Sequence, residues 1–217
     1  MGYDTQAYGG VYLAPTRNPF NYEEFEQINR DLATQWLTLD EITNQLNLFG
    51  DESQDGYLQG LELAVRMHIE DYMGLPIFPV TYRVYYGSAA LYGTPLTLDL
   101  PEVSQNGVTI NSVKYYNNAS PTVLTTVAAV NYYYDPTGNK VVLVGLPSDL
   151  NPYMTNPVVV EYTLAASIIA QYPVVKQAGL LLMTHLYNNR SDTTSGGLQK
   201  IPFGVDALLR PYKPLVM

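Results

Sequence analysis

The spacing of apolar residues near the start of the chain predicts an irregular arm and then a short helix. Residues 1–21 are rich in Gly, Tyr, Pro and Asn and show no periodicity, which is typical of a segment without regular structure. Phe25, Ile28 and Leu32 then recur at a spacing of three to four. This spacing predicts a short acidic helix over residues 23–34.

A capping-box pattern marks the next predicted helix. The Thr38 side chain can accept from the backbone N–H of Glu41, whose carboxylate can accept from the Thr38 N–H. The helix should run from there to about Leu48, burying Leu39, Ile42 and Leu46, and Gly50 should end it.

A longer helix is predicted to follow. Asp51 or Ser53 should cap it, and it should extend through Tyr72 until Gly74 and Pro76 stop it. Its apolar positions follow the spacing of one helical face: Leu58, Leu61, Val65, Ile69 and Tyr72.

From Phe78 to Leu164 the pattern changes to alternation of β-branched or aromatic residues with polar ones, which predicts strands. The candidate strands are Thr81–Tyr86, Leu96–Leu100, Val108–Tyr116, Val123–Tyr134, Val141–Val144 and Val158–Thr163. Residues 135–138 (Asp-Pro-Thr-Gly) should form a hairpin turn, with Pro136 fixing φ and Gly138 adopting positive φ. Residues 117–121 should form a second hairpin loop.

Helical periodicity returns from Pro173 to Asn189, with Pro173 in the first turn. The predicted apolar face consists of Val174, Ala178, Leu181, Leu182 and His185. Ser191–Gly197 has the composition of a flexible linker, and one helical turn is predicted at Val205–Leu209.

This order of elements predicts an α+β fold. Two N-terminal helices and one late helix should form a small α-helical bundle, with an inserted antiparallel β domain and an extended C-terminal tail. The predicted boundaries are 1–36 for the N-terminal arm, 37–76 and 166–190 for the bundle, 77–165 for the β insertion, and 191–217 for the linker and tail.

Charge is distributed unevenly along the chain. The net charge is −9, which disfavours generic nucleic-acid binding. Residues 1–75 have a net charge of −10, and residues 76–217 have a net charge of +1. An acidic surface on the N-terminal helices is either an ordinary solvated face or an acidic channel wall past which DNA slides; Glu62, Glu70 and Asp71 are the candidates for such a channel face.

Composition excludes several classes of protein. The chain has no Cys, so disulfides and thiol nucleophiles are excluded. No apolar run is long enough for a transmembrane helix, and the N-terminus does not have the pattern of a signal peptide. Twenty Tyr residues favour either protein–protein interfaces or simply β-strands.

The sequence shows no constellation of catalytic residues. It contains no nucleophile-elbow, zinc-protease or phosphate-loop motif. His68 and His185 lie at predicted apolar helix faces, where a hydrogen-bonded core role is more typical than metal ligation. Glu23, Glu24 and Glu26 belong to a charge run, which favours a solvated face. We therefore expect no enzymatic activity, cofactor or metal.

The most specific motifs lie near the C-terminus. They are IPFGV at 201–205 and LLRPYK at 208–213. Together with LTLDEITNQL at 37–46 and AVRMHIEDYMGLPI at 64–77, they resemble the head–tail connector (adaptor) proteins of tailed bacteriophages. Lys213 stands where that family usually has Arg, so the charge is kept but bidentate contacts are lost.

This resemblance implies a structural virion protein that forms a ring, twelve copies in the expected case, between portal and tail. The implied partners are other copies, the phage portal protein, and tail or nozzle/terminator proteins. DNA would pass through without specific binding, and no membrane is involved. Synthesis would take place in the host bacterial cytoplasm, and the protein would then reside at the head–tail interface of the virion.

The apolar tail is the implied contact with the portal or with neighbouring subunits. The tail either folds back on its own bundle or reaches a partner, and the linker at Ser191–Gly197 favours the second. The residues expected to make these contacts are Ile201, Pro202, Phe203, Gly204, Val205, Leu208, Leu209, Arg210, Pro211 and Tyr212.

Two alternatives remain open at the level of sequence. The chain could be a phage stopper or tail-completion protein, which would contact the connector rather than the portal. It could instead be a monomeric β-rich module that binds carbohydrate or a cell surface through its Tyr residues.

Overall fold

A computed structural model of the chain describes residues 21–91, 95–101, 107–190 and 203–213. The chain divides into two compact units. The β unit comprises Met1–Asn29 and Thr81–Thr163, and the helical unit comprises Arg30–Val80 and Leu164–Met217. Helices and antiparallel sheets in one chain confirm the predicted α+β fold.

The described residues form eight strands in two antiparallel sheets. The strands are β1 (Glu24–Arg30), β2 (Val80–Tyr86), β3 (Leu96–Asp99), β4 (Val108–Tyr116), β5 (Leu124–Thr126), β6 (Tyr132–Asp135), β7 (Lys140–Leu143) and β8 (Val158–Leu164). A five-stranded sheet has the order β1-β2-β8-β4-β5, and a three-stranded sheet has the order β3-β7-β6.

The core of the β unit follows from strand alternation. Every second residue of β2 and β8 is buried, because successive side chains of a strand point to opposite faces. Tyr82 and Tyr162 stack there with ring centroids 5.5 Å apart. The Tyr86 hydroxyl donates to the backbone oxygen of Asp99 at 2.6 Å and so links the two sheets. Burial raises the pKa of Tyr86 well above its usual range.

Two predicted hairpins are confirmed. Strands β6 and β7 pair in register from Tyr132↔Leu143 to Asp135↔Lys140, and β4 pairs with β5 across the loop at residues 117–121. The turn between β6 and β7 differs in one detail, because positive φ occurs at Asn139 and not at Gly138.

The helical unit contains α1 (Leu39–Leu46), α2 (Asp55–Met73), α3 (Pro173–Asn188) and α4 (Phe203–Leu209). The predicted capping box is confirmed: Thr38 Oγ1 accepts from the Glu41 N–H at 3.2 Å, and Glu41 Oε2 accepts from the Thr38 N–H at 2.9 Å. Helix α1 ends at Asn47 in the left-handed conformation, before the predicted Gly50.

Helix α2 begins later than the sequence pattern predicted. Its N-cap is Gln54, whose side chain makes no capping hydrogen bond, so the prediction of a cap at Asp51 or Ser53 was wrong. Asp51 Oδ1 instead accepts from the Ser53 N–H at 3.0 Å within the preceding turn. Gly74, with φ of 63°, ends the helix as predicted.

The helices pack around one apolar cluster, and α3 contacts each of the other three. The buried face of α3 consists of Val175, Ala178, Gly179, Leu182 and Met183. Val174, which was predicted to face the core, is exposed, so the actual face is rotated by about one residue. The Trp36 ring fills the space over Gly179, and its Nε1 donates to the Ala170 backbone oxygen at 3.0 Å.

Two further predictions were wrong. The segment 23–34 is not a helix, because β1 pairs with β2, beginning with a hydrogen bond from the Glu23 N–H to the Tyr85 oxygen at 2.9 Å. The predicted single strand Val123–Tyr134 is interrupted by a 3₁₀ turn at Ala129–Asn131, which sends β5 and β6 to different sheets. The arm before Asn21 and the predicted linker at 191–197 lie outside the described residues.

Candidate interaction surfaces

The C-terminal helix α4 packs on the chain's own helical unit. Val205 and Leu209 are each 1% exposed and belong to the apolar cluster around α3. Beyond α4, the ring of Tyr212 meets that of Tyr172 edge to face, with centroids 5.7 Å apart. The helical turn predicted at Val205–Leu209 is therefore confirmed as a helix, and it contributes to the core.

This packing corrects the predicted set of tail contacts. Val205 and Leu209 cannot contact a partner while they are buried, and Leu208 and Tyr212 are partly covered. The exposed members of the set are Gly204, Arg210 and Pro211. Ile201, Pro202 and the side chain of Phe203 lie outside the described residues.

A row of charged side chains on α2 is buried instead of solvated. Glu62, Arg66 and Glu70 recur every four residues, so they lie on one helical face. Arg66 donates to the backbone oxygens of Thr34 at 2.7 Å and Asp31 at 2.6 Å. Its guanidinium also lies 4.9 Å from the centroid of the Phe78 ring, within the range of a cation–π contact.

The two carboxylates of the row have complementary partners. Glu62 Oε1 accepts from the backbone N–H groups of Trp36 and Leu37, at 3.0 and 3.3 Å. Glu70 pairs with Arg30, and its Oε1 accepts from the Ile77 N–H at 2.7 Å. Burial raises the pKa of Glu62, although the two backbone hydrogen bonds oppose that shift. The three charged side chains of this row thus hold the segment that follows β1 against α2.

These contacts correct the predicted acidic channel face. Glu62 is 2% exposed and Glu70 is 6% exposed, so neither carboxylate can face a channel. Both are held in the interior by internal hydrogen bonds. Asp71 is exposed, and its place on an acidic wall remains a prediction.

Arg190 lies against two tyrosine rings at the end of α3. Its guanidinium carbon lies 4.5 Å from the centroid of Tyr57 and 4.7 Å from that of Tyr187, and its Nη2 donates to Gln54 Oε1 at 2.6 Å. The contact ties the start of α2 to the end of α3.

A chain of ion pairs crosses one face of the five-stranded sheet. Arg83 on β2 binds Glu26 on β1 at 2.9 Å and Glu161 on β8 at 2.8 Å. Glu161 also binds Lys114 on β4 at 3.1 Å. Burial raises the pKa of Glu161, but the hydrogen bonds from Lys114 and Arg83 outweigh burial and lower that pKa overall. Cross-strand pairs of opposite charge stabilise this sheet and its register.

The described residues offer no cluster of ligands for a metal ion. His68 is exposed and His185 is partly buried, so the predicted core role of His68 was wrong. Within the described ranges, no group of three or more His, Asp and Glu residues could hold a metal ion. No helix among those residues is long and apolar enough to cross a membrane.

No protein-family model and no curated protein sequence matches the chain. Solved structures do match. A chain from the neck of the empty gene transfer agent (GTA) particle, computed with C6 symmetry, matches with a TM-score of 0.62 and 22% identity, covering 90% of this chain and 97% of that chain. The fold is that of chains found in GTA particles.

Two further matches have the same coverage. A chain from the virion of the native GTA particle has a TM-score of 0.62 and 21% identity. A chain from the neck of the native GTA particle, computed with C12 symmetry, has a TM-score of 0.57 and 20% identity. The likeness extends over both units of the present chain, because nine-tenths of its residues are covered.

Proposed function

We propose that this chain is a structural virion protein of a phage-like particle, where it forms the neck ring that connects portal and tail. The observation that carries the proposal is the fold, which is shared over nearly the full length with chains from GTA necks and virions. The connector-like motifs at residues 37–46, 64–77 and 201–213 point in the same direction. This role requires no catalysis.

The proposed assembly is a homo-oligomeric ring. One matched neck was computed with C12 symmetry, and twelve copies agree with the connector resemblance. A ring of identical subunits needs one surface that binds a different surface on the next copy, with a rotation that closes. The net charge of −9 suits a passage through which DNA moves without being bound. Asp71 is the exposed acidic residue on α2 that we place at this passage.

We assign the portal contact to the exposed end of the C-terminal segment. Gly204, Arg210 and Pro211 are accessible there, and all three belong to the connector-like stretch of residues 201–213. The β unit and the N-terminal arm would then face tail or nozzle/terminator proteins. Such a protein would be made in the cytoplasm of the bacterial host and act in the virion.

The first experiment is the native mass of the purified protein across a range of concentrations, with negative-stain images of the same samples. Twelve copies of 24.2 kDa would give closed rings of about 290 kDa. If the chain alone stays monomeric, the native mass is measured again in a mixture with the portal protein. Binding to the portal would then support the proposal. A chain that remains monomeric and does not bind the portal would contradict the proposal.

Two variants with the same change in charge test the proposed portal contact. Arg210→Gln and Gln177→Glu each lower the net charge by one at an exposed position, one at the end of the C-terminal segment and one on α3. Only Arg210→Gln should weaken portal binding in a pull-down. Equal binding by both variants would remove Arg210 from the portal contact.

A further inference from the structure

The five-stranded sheet has an outer strand at each side. Its order is β1-β2-β8-β4-β5, so among the described residues β5 pairs only with β4, and β1 pairs only with β2. The outer edge of a strand presents a row of N–H and C=O groups on which a further strand can pair. The two edges of this sheet belong to different strands and are therefore different surfaces of one chain.

The register at β5 shows which of its backbone groups point outward. The Asn117 N–H donates to the Val123 oxygen at 3.0 Å, so Val123 belongs to a hydrogen-bonded pair with β4. Such pairs alternate with non-hydrogen-bonded pairs along an antiparallel ladder. Leu124 and Thr126 belong to non-hydrogen-bonded pairs, so their N–H and C=O groups point away from β4.

Strand β5 lacks the features that usually protect an edge. Residues 123–127 (Val-Leu-Thr-Thr-Val) contain no charged side chain and no Pro. Val123 is 52% exposed and Leu124 is 42% exposed. Edges that stay unpaired commonly carry charges, Pro or a bulge. The composition and exposure of β5 are therefore those of a strand that is available for pairing.

The ion-pair chain across this sheet has opposite charges at its two ends. The charges alternate in sign over Glu26 on β1, Arg83 on β2, Glu161 on β8 and Lys114 on β4. Glu24 lies two residues from Glu26, so both side chains point to the same face of β1. A strand added beyond β5 would lie about 10 Å from β4, a separation that the long side chains of Lys and Glu can shorten. The β5 side thus favours an acidic strand, and β1 is one.

We propose that the outer edge of β5 pairs with β1 of a second copy, so that the sheets of neighbouring subunits join into one continuous sheet. The inference rests on the proposed function, because a contact between two different edges of identical chains is the kind that closes into a ring. Neighbouring strands are antiparallel throughout the sheet, so β1 and β5, four steps apart, run in the same direction. Neighbours in a ring of twelve differ by a rotation of about 30°, so the new pair of strands should be parallel.

Proline at position 126 tests the outward-facing donor. Thr126→Pro removes an N–H that does not bond to β4, and Pro is tolerated on an edge strand where the N–H faces outward. The melting temperature of the variant should stay close to that of the unmodified chain. Its native mass should show no rings under conditions in which the unmodified chain forms them, alone or with the portal protein. Thr126→Ala keeps the N–H and should still form rings.

Cysteine cross-linking tests the same contact in an assembled ring. The chain has no Cys, so Thr126→Cys combined with Ile28→Cys places one thiol on each edge of the sheet. A short bis-maleimide should link neighbouring copies of this double variant into a ladder of oligomers on a denaturing gel. Each single variant should remain uncross-linked, because thiols at the same position lie on edges that do not meet.

The outcomes separate this contact from the proposed function. Rings that survive Thr126→Pro, or rings of the double variant that give no ladder, would overturn the β5–β1 contact and leave the ring itself intact. Cross-linked dimers of Thr126→Cys alone would also overturn it, because two β5 edges would then pair. Failure of the unmodified chain to assemble, alone and with the portal protein, would overturn both proposals.

Discussion

The Oε1 atom of Glu62 accepts the backbone N–H of Trp36 at 3.0 Å, across 26 positions of sequence. The same oxygen accepts the N–H of Leu37 at 3.3 Å. An acidic residue in a helix interior thereby satisfies two backbone donors of a buried, irregular segment. Buried backbone donors without an acceptor are costly, so this carboxylate helps to hold the segment in place.

Glu62→Ala should therefore destabilise the protein strongly. The change leaves two buried N–H groups without an acceptor, at about 1–3 kcal/mol for each unsatisfied group. We expect the free energy of unfolding in urea at pH 7 to fall by about 2–6 kcal/mol. Asp71→Ala, an exposed change on the same helix, should alter it by less than about 0.5 kcal/mol. Similar losses for the two variants would contradict the assigned role of Glu62.

The ion-pair chain predicts a pH-dependent contribution from Glu161. Its pKa is lower in the folded protein than its ordinary value of 4.5, so the folded state favours the ionised form. The stabilisation is present above 4.5 and is lost as the pH falls through the folded pKa. Glu161→Gln should cost about 1 kcal/mol at pH 7, and the cost should vanish in more acidic buffer. Glu24→Gln, exposed on β1, controls for the removed charge. A cost that does not change with pH would speak against the ion pairs.

Replacement by Ala should lower the stability of the protein at Gly179 and raise it at Gly60. A Cβ at Gly179 would lie 2.7 and 2.9 Å from two carbons of the Trp36 ring and 3.2 Å from Leu37. The ring is anchored by its bond to Ala170, so Gly179→Ala should destabilise by about 1–3 kcal/mol. A Cβ at Gly60 meets nothing within 4 Å, so Gly60→Ala should stabilise by about 0.5–1 kcal/mol. Thermal unfolding of both variants is the measurement, and stabilisation by both would disprove the close Trp36 contact.

Because α4 packs on the helical unit, Leu209 should contribute to the stability of the folded monomer. Leu209→Ala should lower the free energy of unfolding by about 2–5 kcal/mol, because the side chain is buried in the cluster around α3. Ala207→Ser, an exposed change on the same helix, should be nearly neutral. If α4 instead left the bundle to bind a partner, both variants of the isolated chain would be equally stable.

Local signals in the sequence were sufficient to predict several helix ends and one hairpin. The capping box of Thr38 and Glu41, the stop at Gly74 and the first-turn Pro173 each act through backbone geometry within a few residues. The hairpin between β6 and β7 likewise depends on its own turn. Such features need no information about distant partners.

The elements that were missed depend on distant partners. Phe25, Ile28 and Leu32 have helical spacing, but all three are exposed, and the segment becomes a strand because β2 pairs with it from more than 50 residues away. The interior roles of Glu62 and Glu70 depend on Trp36, Leu37, Arg30 and Ile77. The signal that could have found them is the four-residue spacing of Glu62, Arg66 and Glu70 beside the apolar stripe of α2.

The division of each unit into separate stretches of chain has a consequence for the order of folding during translation. The β unit has all of its residues once position 163 leaves the ribosome. The helical unit must wait longer, because Val205 and Leu209 complete its core. Residues 30–80 therefore emerge early and lack α3 and α4 while more than 80 further residues are synthesised. Until α3 and α4 are made, the apolar face of α2 has no partner on which to pack.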